Sequence, residues 1–220
     1  MIKLIIFDLD GTLLNTIEDL ACCSNYILRQ CGLPEHDIDA YRYFVGNGIP
    51  NLIERMLPKH LQNDEKFKAS VLEQFMPYYE IHKADKTAPY SEIAELLSEL
   101  QKRDIAIAVA SNKVNHAIKP LLDHYFPQIT FVAALGQREA VPLKPHPQIV
   151  FDIMKIADVL PEEVLYVGDT GVDMQTSLHA GVMGIGALWG FRTEEEIRDS
   201  GAKEVIRHPM ELLEKLKTKN

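Results

Sequence analysis

Short runs of apolar and β-branched residues recur along the chain, and each run is continuous rather than alternating between apolar and polar positions. Runs of this kind are typical of strands that are buried on both faces of a parallel sheet. Five clear runs and a weaker final one predict strands at residues 3–7, 105–110, 129–133, 164–167, 182–188 and 204–206.

Helical patterns lie between most of these runs, where apolar residues recur at spacings of three and four. They predict helices at residues 90–103, 115–125, 146–157, 172–180 and 193–199. Alternation of strands with helices is typical of an α/β domain with a doubly wound parallel sheet, and we predict that fold class.

About a hundred residues separate the first two predicted strands, whereas a simple crossover needs about a dozen. Within this gap, three apolar stripes at helical spacing begin at Ile17, Ile49 and Phe67. We therefore predict that a helical cap domain, residues 15–84, is inserted into a core of residues 1–14 and 85–220. The alternative is a single domain in which these helices pack on the sheet. We favour the cap because an insertion at the carboxyl end of a strand lies over the ligand-binding crevice of α/β sheets.

Composition and charge exclude several classes of function. The 220 residues are 46% hydrophobic, and 23 basic against 32 acidic residues give a net charge of −9, which disfavours nucleic acid as a partner. No apolar run approaches the ~20 residues of a membrane span. The three cysteines are odd in number and form no CxxC pair, which indicates free thiols and a cytoplasmic protein rather than a disulfide framework or a zinc site.

Two aspartates, Asp8 and Asp10, directly follow the first predicted strand in the sequence IIFDLDGTLLNT. Side chains two residues apart in an extended chain point the same way, so these carboxylates would repel each other unless a cation lies between them. Mg²⁺ prefers hard oxygen ligands and needs only one or two carboxylates besides carbonyl groups and water. Gly11 allows a sharp turn, and the Thr12 hydroxyl is available to hydrogen-bond it. An Asx-type turn would account for one aspartate but not for two.

Later segments add polar groups near the ends of predicted strands. Ser111 and Asn112 are placed to bind a phosphoryl oxygen, although a serine there also suits a helix N-cap. Lys144 lies in PLKPHP, where flanking prolines favour a fixed position over that of a solvated surface charge. Asp169 and Asp173 would either cap a helix or bind a metal. Together these groups supply what phosphoryl transfer requires: a nucleophile, a cation site and donors around the phosphoryl oxygens.

The segments DLDGT, ASN, LKPHP and GDTGVD occur in the order of the four signature motifs of the haloacid dehalogenase (HAD) superfamily, which the sequence resembles. The resemblance implies that Asp8 is a nucleophile that forms an aspartyl-phosphate and that Asp10 is the general acid and base. Dehalogenase relatives lack the second aspartate, so Asp10 argues against carbon–halogen cleavage. The residues implied in binding the phosphoryl group are Ser111, Asn112 and Lys144.

The same resemblance implies a Mg²⁺ cofactor and a helical cap of the type called C1. The ion would be bound by the Asp8 carboxylate, the Asp10 backbone carbonyl and Asp169. Asp173 and Thr12 would support this arrangement.

Within the superfamily, the segment YRYFVGNGIPNLIERML is similar to part of the cap of phosphoglycolate phosphatases. The similarity implies hydrolysis of 2-phosphoglycolate to glycolate and phosphate. Gly46 and Asn47 would approach the substrate, and Arg55 is a candidate to bind its carboxylate, as are Arg42 and Lys59.

Other functions of the same fold are open at this point: a sugar-phosphate phosphatase, a pyrophosphatase or a β-phosphoglucomutase-like phosphomutase. A non-enzymatic binding protein on this scaffold would be expected to have lost one of the four motifs, and all four are present. We expect a small phosphomonoester as the partner of a monomer or homodimer, without nucleic acid or membrane.

Overall fold

The computed structural model describes residues 1–217. The chain divides into two compact units, a core of Met1–Leu14 with Pro89–Asn220 and a helical unit of Asn15–Ala88. The helical unit ends at residue 88, where the sequence pattern suggested 84. Among the described residues, no helix is both long enough and apolar enough to cross a bilayer.

The chain forms eight strands and ten α-helices among the residues that the structure describes. Those up to the end of the helical unit are β1 (Leu4–Phe7), β2 (Leu14–Asn15), α1 (Ile17–Gln30), α2 (Ile38–Phe44), α3 (Ile49–Met56), α4 (Glu65–His82) and β3 (Ala88–Pro89). The rest are α5 (Ile93–Lys102), β4 (Ala106–Val114), α6 (Asn115–Tyr125), β5 (Ala133–Gln137), α7 (Gln148–Ala157), a 3₁₀ turn (Pro161–Glu163), β6 (Val164–Gly168), α8 (Gly171–Ala180), β7 (Met183–Ala187), α9 (Glu194–Asp199), β8 (Glu204–Ile206) and α10 (Glu211–Lys217).

The core contains a six-stranded sheet in the order β5-β4-β1-β6-β7-β8. Every pairing in it is parallel. The predicted α/β fold with a parallel sheet is therefore confirmed. β2 and β3 form a separate two-stranded sheet where the chain passes from one unit to the other.

Both faces of the sheet are covered, which explains why the strands are continuously apolar. Ile5 and Phe7 of β1 pack in one core cluster with side chains of α5, α6 and α10. Leu4 and Ile6 belong to a second cluster with side chains of α7. All four β1 residues have no exposed surface, so alternate side chains enter opposite cores.

The limits of the strand predicted at 129–133 are wrong: the strand that pairs with β4 is β5, at Ala133–Gln137, which shares only Ala133 with the prediction. Ile129 and Phe131 are apolar because they pack against the first core cluster, not because they join the sheet. β4 also continues to Val114, past the predicted end at residue 110, with a shift in its register to β5 between Ala110 and Val114.

The helical unit begins with α1, whose predicted apolar stripe is buried. The helix ends before Gly32, at φ 68°, and Leu33 N donates to Leu28 O at 2.9 Å. Tyr26 of α1 stacks on Tyr78 of α4, with ring centroids 3.9 Å apart. α2 was not predicted; its seven residues are too few for a clear apolar stripe.

The order of the strands creates a topological switch point beside β1. After β1 the chain continues through β4 to β5 on one side, whereas β6 pairs with the other side of β1 and leads to β7 and β8. In open α/β sheets, ligands bind outside the carboxyl ends of the strands at such a point. Asp8 follows β1 and Asp169 follows β6, so the sequence motifs lie at this edge.

Candidate active site

Three buried carboxylates meet at the carboxyl ends of β1 and β6. One oxygen from each of Asp8, Asp169 and Asp173 lies within 4.8 Å of the others. Asp8 is 6% exposed and the other two have no exposed surface. The paired register of β1 and β6 continues past the strand end, because Asp8 N donates to Val167 O at 2.9 Å. The acids beside Asp8 therefore come from the residue after β6, Asp169, and from the first turn of α8, Asp173.

Lys144 connects two of these carboxylates. Its Nζ lies 2.9 Å from Asp8 Oδ1 and 2.7 Å from Asp173 Oδ1, and it also donates to Ala110 O at 2.9 Å and to Tyr166 Oη at 3.1 Å. Burial lowers the pKa of Lys144, but the charges of Asp173 and Asp8 more than offset this, so its pKa lies well above the usual value. The lysine is therefore positively charged at neutral pH, and its position is fixed, as the sequence predicted.

Burial raises the pKa of Asp8 well above its usual value, and the charge of Asp173 adds to this, while Lys144 opposes it. Burial and Asp173 likewise raise the pKa of Asp169 to about 7. The physical cause is three acids that share a buried site with one lysine, which leaves two uncompensated negative charges when all are ionised. A divalent cation held by hard oxygen ligands matches both the charge and the donor set.

Asp169 is held by groups that are distant in the sequence. Thr12 Oγ1 donates to Asp169 Oδ1 at 2.9 Å, and Phe191 N donates to Oδ2 at 2.8 Å. The sequence suggested that Thr12 hydrogen-bonds its own turn, but its hydroxyl instead supports the acid after β6. Trp189 Nε1 donates to Thr12 O at 3.0 Å and so connects this loop to the segment after β7.

Gly11 is required where these loops meet. Its φ is 91°, and a Cβ at this position would lie 2.3 Å from Asp169 Oδ2. Both the left-handed backbone and the close approach exclude a side chain.

Asp173 caps α8 and also contributes an oxygen to the buried carboxylate trio. Its Oδ2 accepts from Thr170 Oγ1 at 2.6 Å and from Thr170 N at 3.1 Å, which completes the capping box of α8. Its Oδ1 belongs to the buried cluster with Lys144 and accepts from Tyr166 Oη at 3.2 Å.

Ser111 and Asn112 lie within β4, next to Lys144. The N-cap residue of α6 is Val114, so Ser111 does not cap that helix. Ser111 Oγ accepts from Lys113 N at 3.1 Å, which leaves its O–H as a donor. Asn112 Oδ1 accepts from Lys144 N at 2.9 Å, and Asn112 Nδ2 donates to Lys144 O at 3.1 Å. The asparagine thus fixes the Lys144 backbone, a contact that sequence reasoning did not anticipate.

The carboxylate of Asp10 does not belong to the buried trio. It is paired with Lys113, whose Nζ lies 3.1 Å from Oδ1 and 3.4 Å from Oδ2.

Sequence reasoning missed Lys113, Tyr166 and Trp189 as parts of the site. Two features of the sequence could have pointed to these residues. Lys113 is a charge inside an apolar strand, and Trp189 is the only tryptophan of the chain and is next to a glycine.

The cap candidates lie in the helical unit, around the loop between α2 and α3. Gly46 and Gly48 have φ of 109° and 84°, which favours glycine. Arg55 donates to Phe44 O at 3.1 Å and to Asn47 Oδ1 at 2.8 Å, so much of its guanidinium holds this loop.

Of the other two cations proposed for the glycolate carboxylate, Arg42 pairs with Asp39 at 3.2 Å. Lys59 is exposed after α3.

The comparisons with known proteins agree with the motifs. The family model described as "Haloacid dehalogenase-like hydrolase" matches residues 5–187. The chain belongs to the haloacid dehalogenase-like hydrolase family. A phosphoglycolate phosphatase of Pseudomonas savastanoi pv. phaseolicola is 34% identical over 207 residues, which cover 93% of this chain and 76% of the relative. That of Aquifex aeolicus is 32% identical over 194 residues and 86% of each chain.

A solved structure gives the same result for the fold. The crystal structure named as a predicted phosphoglycolate phosphatase from Haemophilus somnus 129pt has a TM-score of 0.89 and 27% identity, with 97% of each chain covered. The resemblance inferred from the four motifs, to the HAD superfamily and to phosphoglycolate phosphatases within it, is therefore confirmed. The expectation that the chain is a HAD phosphatase, a hydrolase of phosphoric monoesters, is confirmed with it.

Proposed function

We propose that this HAD phosphatase hydrolyses 2-phosphoglycolate to glycolate and phosphate, with Asp8 as the nucleophile and Mg²⁺ as the cofactor. The observation that carries the proposal is the contact of buried Asp8 with Lys144, beside two further carboxylates at the switch point of the sheet. The names of the relatives support the choice of 2-phosphoglycolate among phosphomonoesters.

In the first step, an Asp8 carboxylate oxygen forms a bond to phosphorus while the bond from phosphorus to the glycolate oxygen breaks. Asp10 gives its proton to that leaving oxygen. Lys144 orients Asp8 through the 2.9 Å contact and offers its positive charge to the phosphoryl oxygens. The Ser111 hydroxyl and the Asn112 backbone are our candidates to donate to the same oxygens.

In the second step, Asp10 takes a proton from water, whose oxygen attacks the phosphorus of the aspartyl-phosphate. The bond from phosphorus to Asp8 breaks, and inorganic phosphate and the free Asp8 carboxylate result. Asp8, the Asp10 backbone carbonyl and Asp169 would hold Mg²⁺, with Asp173 in support, and the ion would supply positive charge to offset that of the phosphoryl group.

The helical unit is proposed to act as a C1 cap that selects the substrate through Gly46, Asn47 and Arg55. Asn47 Oδ1 accepts from Arg55, which leaves the amide N–H₂ of Asn47 to donate. An Asn47→Ala variant is then expected to raise KM for 2-phosphoglycolate while p-nitrophenyl phosphate is little affected. Equal effects on both substrates would contradict the assignment of this loop.

The proposal includes a cytoplasmic monomer or homodimer. The cytoplasmic location is supported by the three cysteines, which are free thiols in the structure and suit a reducing compartment.

The test is phosphate release from a set of phosphomonoesters with Mg²⁺, including 2-phosphoglycolate, hexose phosphates and pyrophosphate. We expect 2-phosphoglycolate to have the highest kcat/KM without a bisphosphate activator, and Asp8→Asn to abolish turnover while thermal unfolding stays cooperative. A flat substrate profile would reject the substrate, and near-normal turnover by Asp8→Asn would reject the nucleophile.

A further inference from the structure

Lys113 is a nearly buried lysine that contacts both carboxylate oxygens of Asp10. The side chain of Lys113 is 4% exposed and that of Asp10 is 21% exposed. Other lysine–carboxylate pairs lie on the surface, such as Lys119 with Asp123, whose side chains are 76% and 62% exposed. Exposed pairs contribute little to stability, whereas burial of a lysine is costly. Neither stability nor solubility therefore explains why a lysine is buried at this position.

The backbone around Lys113 is irregular, which affects the direction of its side chain. Lys113 lies in the part of β4 where the register to β5 shifts, between Ala110 and Val114. Irregularities of this kind re-aim side chains and are common beside active sites. Lys113 N donates to Ser111 Oγ, and a Cβ on Gly136 would lie 2.4 Å from Lys113 O, so β5 approaches this carbonyl closely.

The contact joins two parts of the site that are far apart in the sequence. Asp10 follows β1, and Lys113 is 103 residues later in the neighbouring strand β4. Because Lys113 Nζ reaches Oδ1 and Oδ2 at 3.1 and 3.4 Å, it restrains the rotation of the carboxylate as well as its location.

We propose that Lys113 is a positioning residue that holds the Asp10 carboxyl group where it exchanges a proton with the leaving-group oxygen. This inference rests on the proposed function, in which Asp10 is the acid and base. General acid–base catalysis depends on a heavy-atom distance near that of a hydrogen bond, so a carboxyl group that rotates freely transfers the proton less often. In this role Lys113 acts through Asp10.

The test compares leaving groups in one protein sample. An alkoxide such as that of 2-phosphoglycolate or glycerol 2-phosphate needs a proton as it leaves, whereas p-nitrophenolate does not. In Lys113→Met we expect kcat/KM for the alkyl phosphates to fall about 10- to 100-fold and that for p-nitrophenyl phosphate to change less than about 3-fold. The ratio of the two values is independent of the fraction of folded protein, and Lys113→Gln serves the same test if the methionine variant does not fold.

A double-mutant cycle shows whether the effect passes through Asp10. In an Asp10→Asn background, Lys113→Met should lower kcat/KM for alkyl phosphates less than about 3-fold further, since the group that it positions is absent. Lys113→Arg, which keeps a charged donor pair, should recover most of the activity, and Lys119→Met, an exposed control, should match the wild type.

Each contrary outcome has its own meaning. Equal losses for both leaving groups, or losses that add fully in the double variant, would show a merely structural role and overturn the inference while Asp10 and the proposed function stand. Wild-type protein without phosphatase activity, or Asp10→Asn with unchanged use of alkyl phosphates, would overturn the proposed function and this inference together.

Discussion

Cation binding at the carboxylate trio should depend steeply on pH, because Asp169 must lose a proton to bind a cation. Its pKa is about 7 in the folded protein and about 3.9 in an unfolded chain. Between these values the folded state holds more protons than the unfolded state, so the stability of the metal-free protein falls as pH rises from about 4 to 7. The difference between the two pKa values, about 3, sets an upper bound of roughly 4 kcal/mol on this loss of stability.

The magnitude for cation binding follows from the same pKa. At a pH of about 5.5, displacing the Asp169 proton costs about 2 kcal/mol, whereas at a pH of about 8 the cost is negligible. The Kd for Mg²⁺ should therefore be about 30-fold weaker at the lower pH, and a fixed Mg²⁺ concentration should raise Tm more at the higher pH.

The assay is calorimetric titration with Mg²⁺ at both pH values, together with thermal unfolding with and without the ion. Asp169→Asn should weaken Mg²⁺ binding at both pH values and reduce the pH dependence of the metal-free Tm, while Asp123→Asn, an exposed control, should behave as the wild type. Two outcomes would contradict the prediction: a wild-type Kd for Mg²⁺ that is equal at both pH values, or a metal-free Tm that rises more from the lower to the higher pH in the wild type than in Asp169→Asn.

Three further predictions concern stability and spectroscopy. Gly11→Ala should lower the free energy of unfolding by about 2 kcal/mol or more, from backbone strain and the clash with the neighbouring carboxylate, as measured by urea denaturation. Asp19→Ala should cost about 3 kcal/mol by the same assay, because the buried carboxylate accepts from two backbone N–H groups and a hydroxyl of residues 86 and 87. Trp189, the only tryptophan, should change its fluorescence when Mg²⁺ is added, because its indole donates to Thr12 O and the Thr12 hydroxyl donates to Asp169, a proposed ligand of the ion.

Each of these predictions has a control. At Gly32, φ is 68° and a new Cβ meets no atom within 4 Å, so Gly32→Ala should show the cost of backbone strain alone. If Gly11→Ala lowered the free energy of unfolding by no more than Gly32→Ala, the clash with Asp169 would be contradicted. Glu18 is a half-exposed neighbour of Asp19, so Glu18→Gln should hardly change the free energy of unfolding. If it cost as much as Asp19→Ala, the buried hydrogen bonds of Asp19 would not explain the loss. If Mg²⁺ still changed the fluorescence in Asp169→Asn, the Trp189 signal would not report binding of the ion at Asp169.

The chemistry of the site was largely readable from the sequence, since acids, a hydroxyl and a lysine at strand ends carry local signals. Asp8, Lys144 and Asp169 lie together at the edge where parallel strands end, and each follows or precedes a recognisable segment. The helix at Asn115–Tyr125 has the predicted limits for a similar reason, because an apolar stripe of period 3.6 belongs to the helix itself.

The tertiary structure decided what depends on partners distant in the chain. Ile129 and Phe131 have the character of a strand but serve the core as a loop, because burial without backbone pairing leaves the same apolar signal. Which acid faces which cation was equally hidden: Lys113 holds Asp10, Lys144 joins Asp8 to Asp173, and Asn112 secures Lys144. The local sequence determines helix and strand propensity and which chemical groups are present. Long-range contacts and burial determine which groups pair with each other and how their pKa values shift.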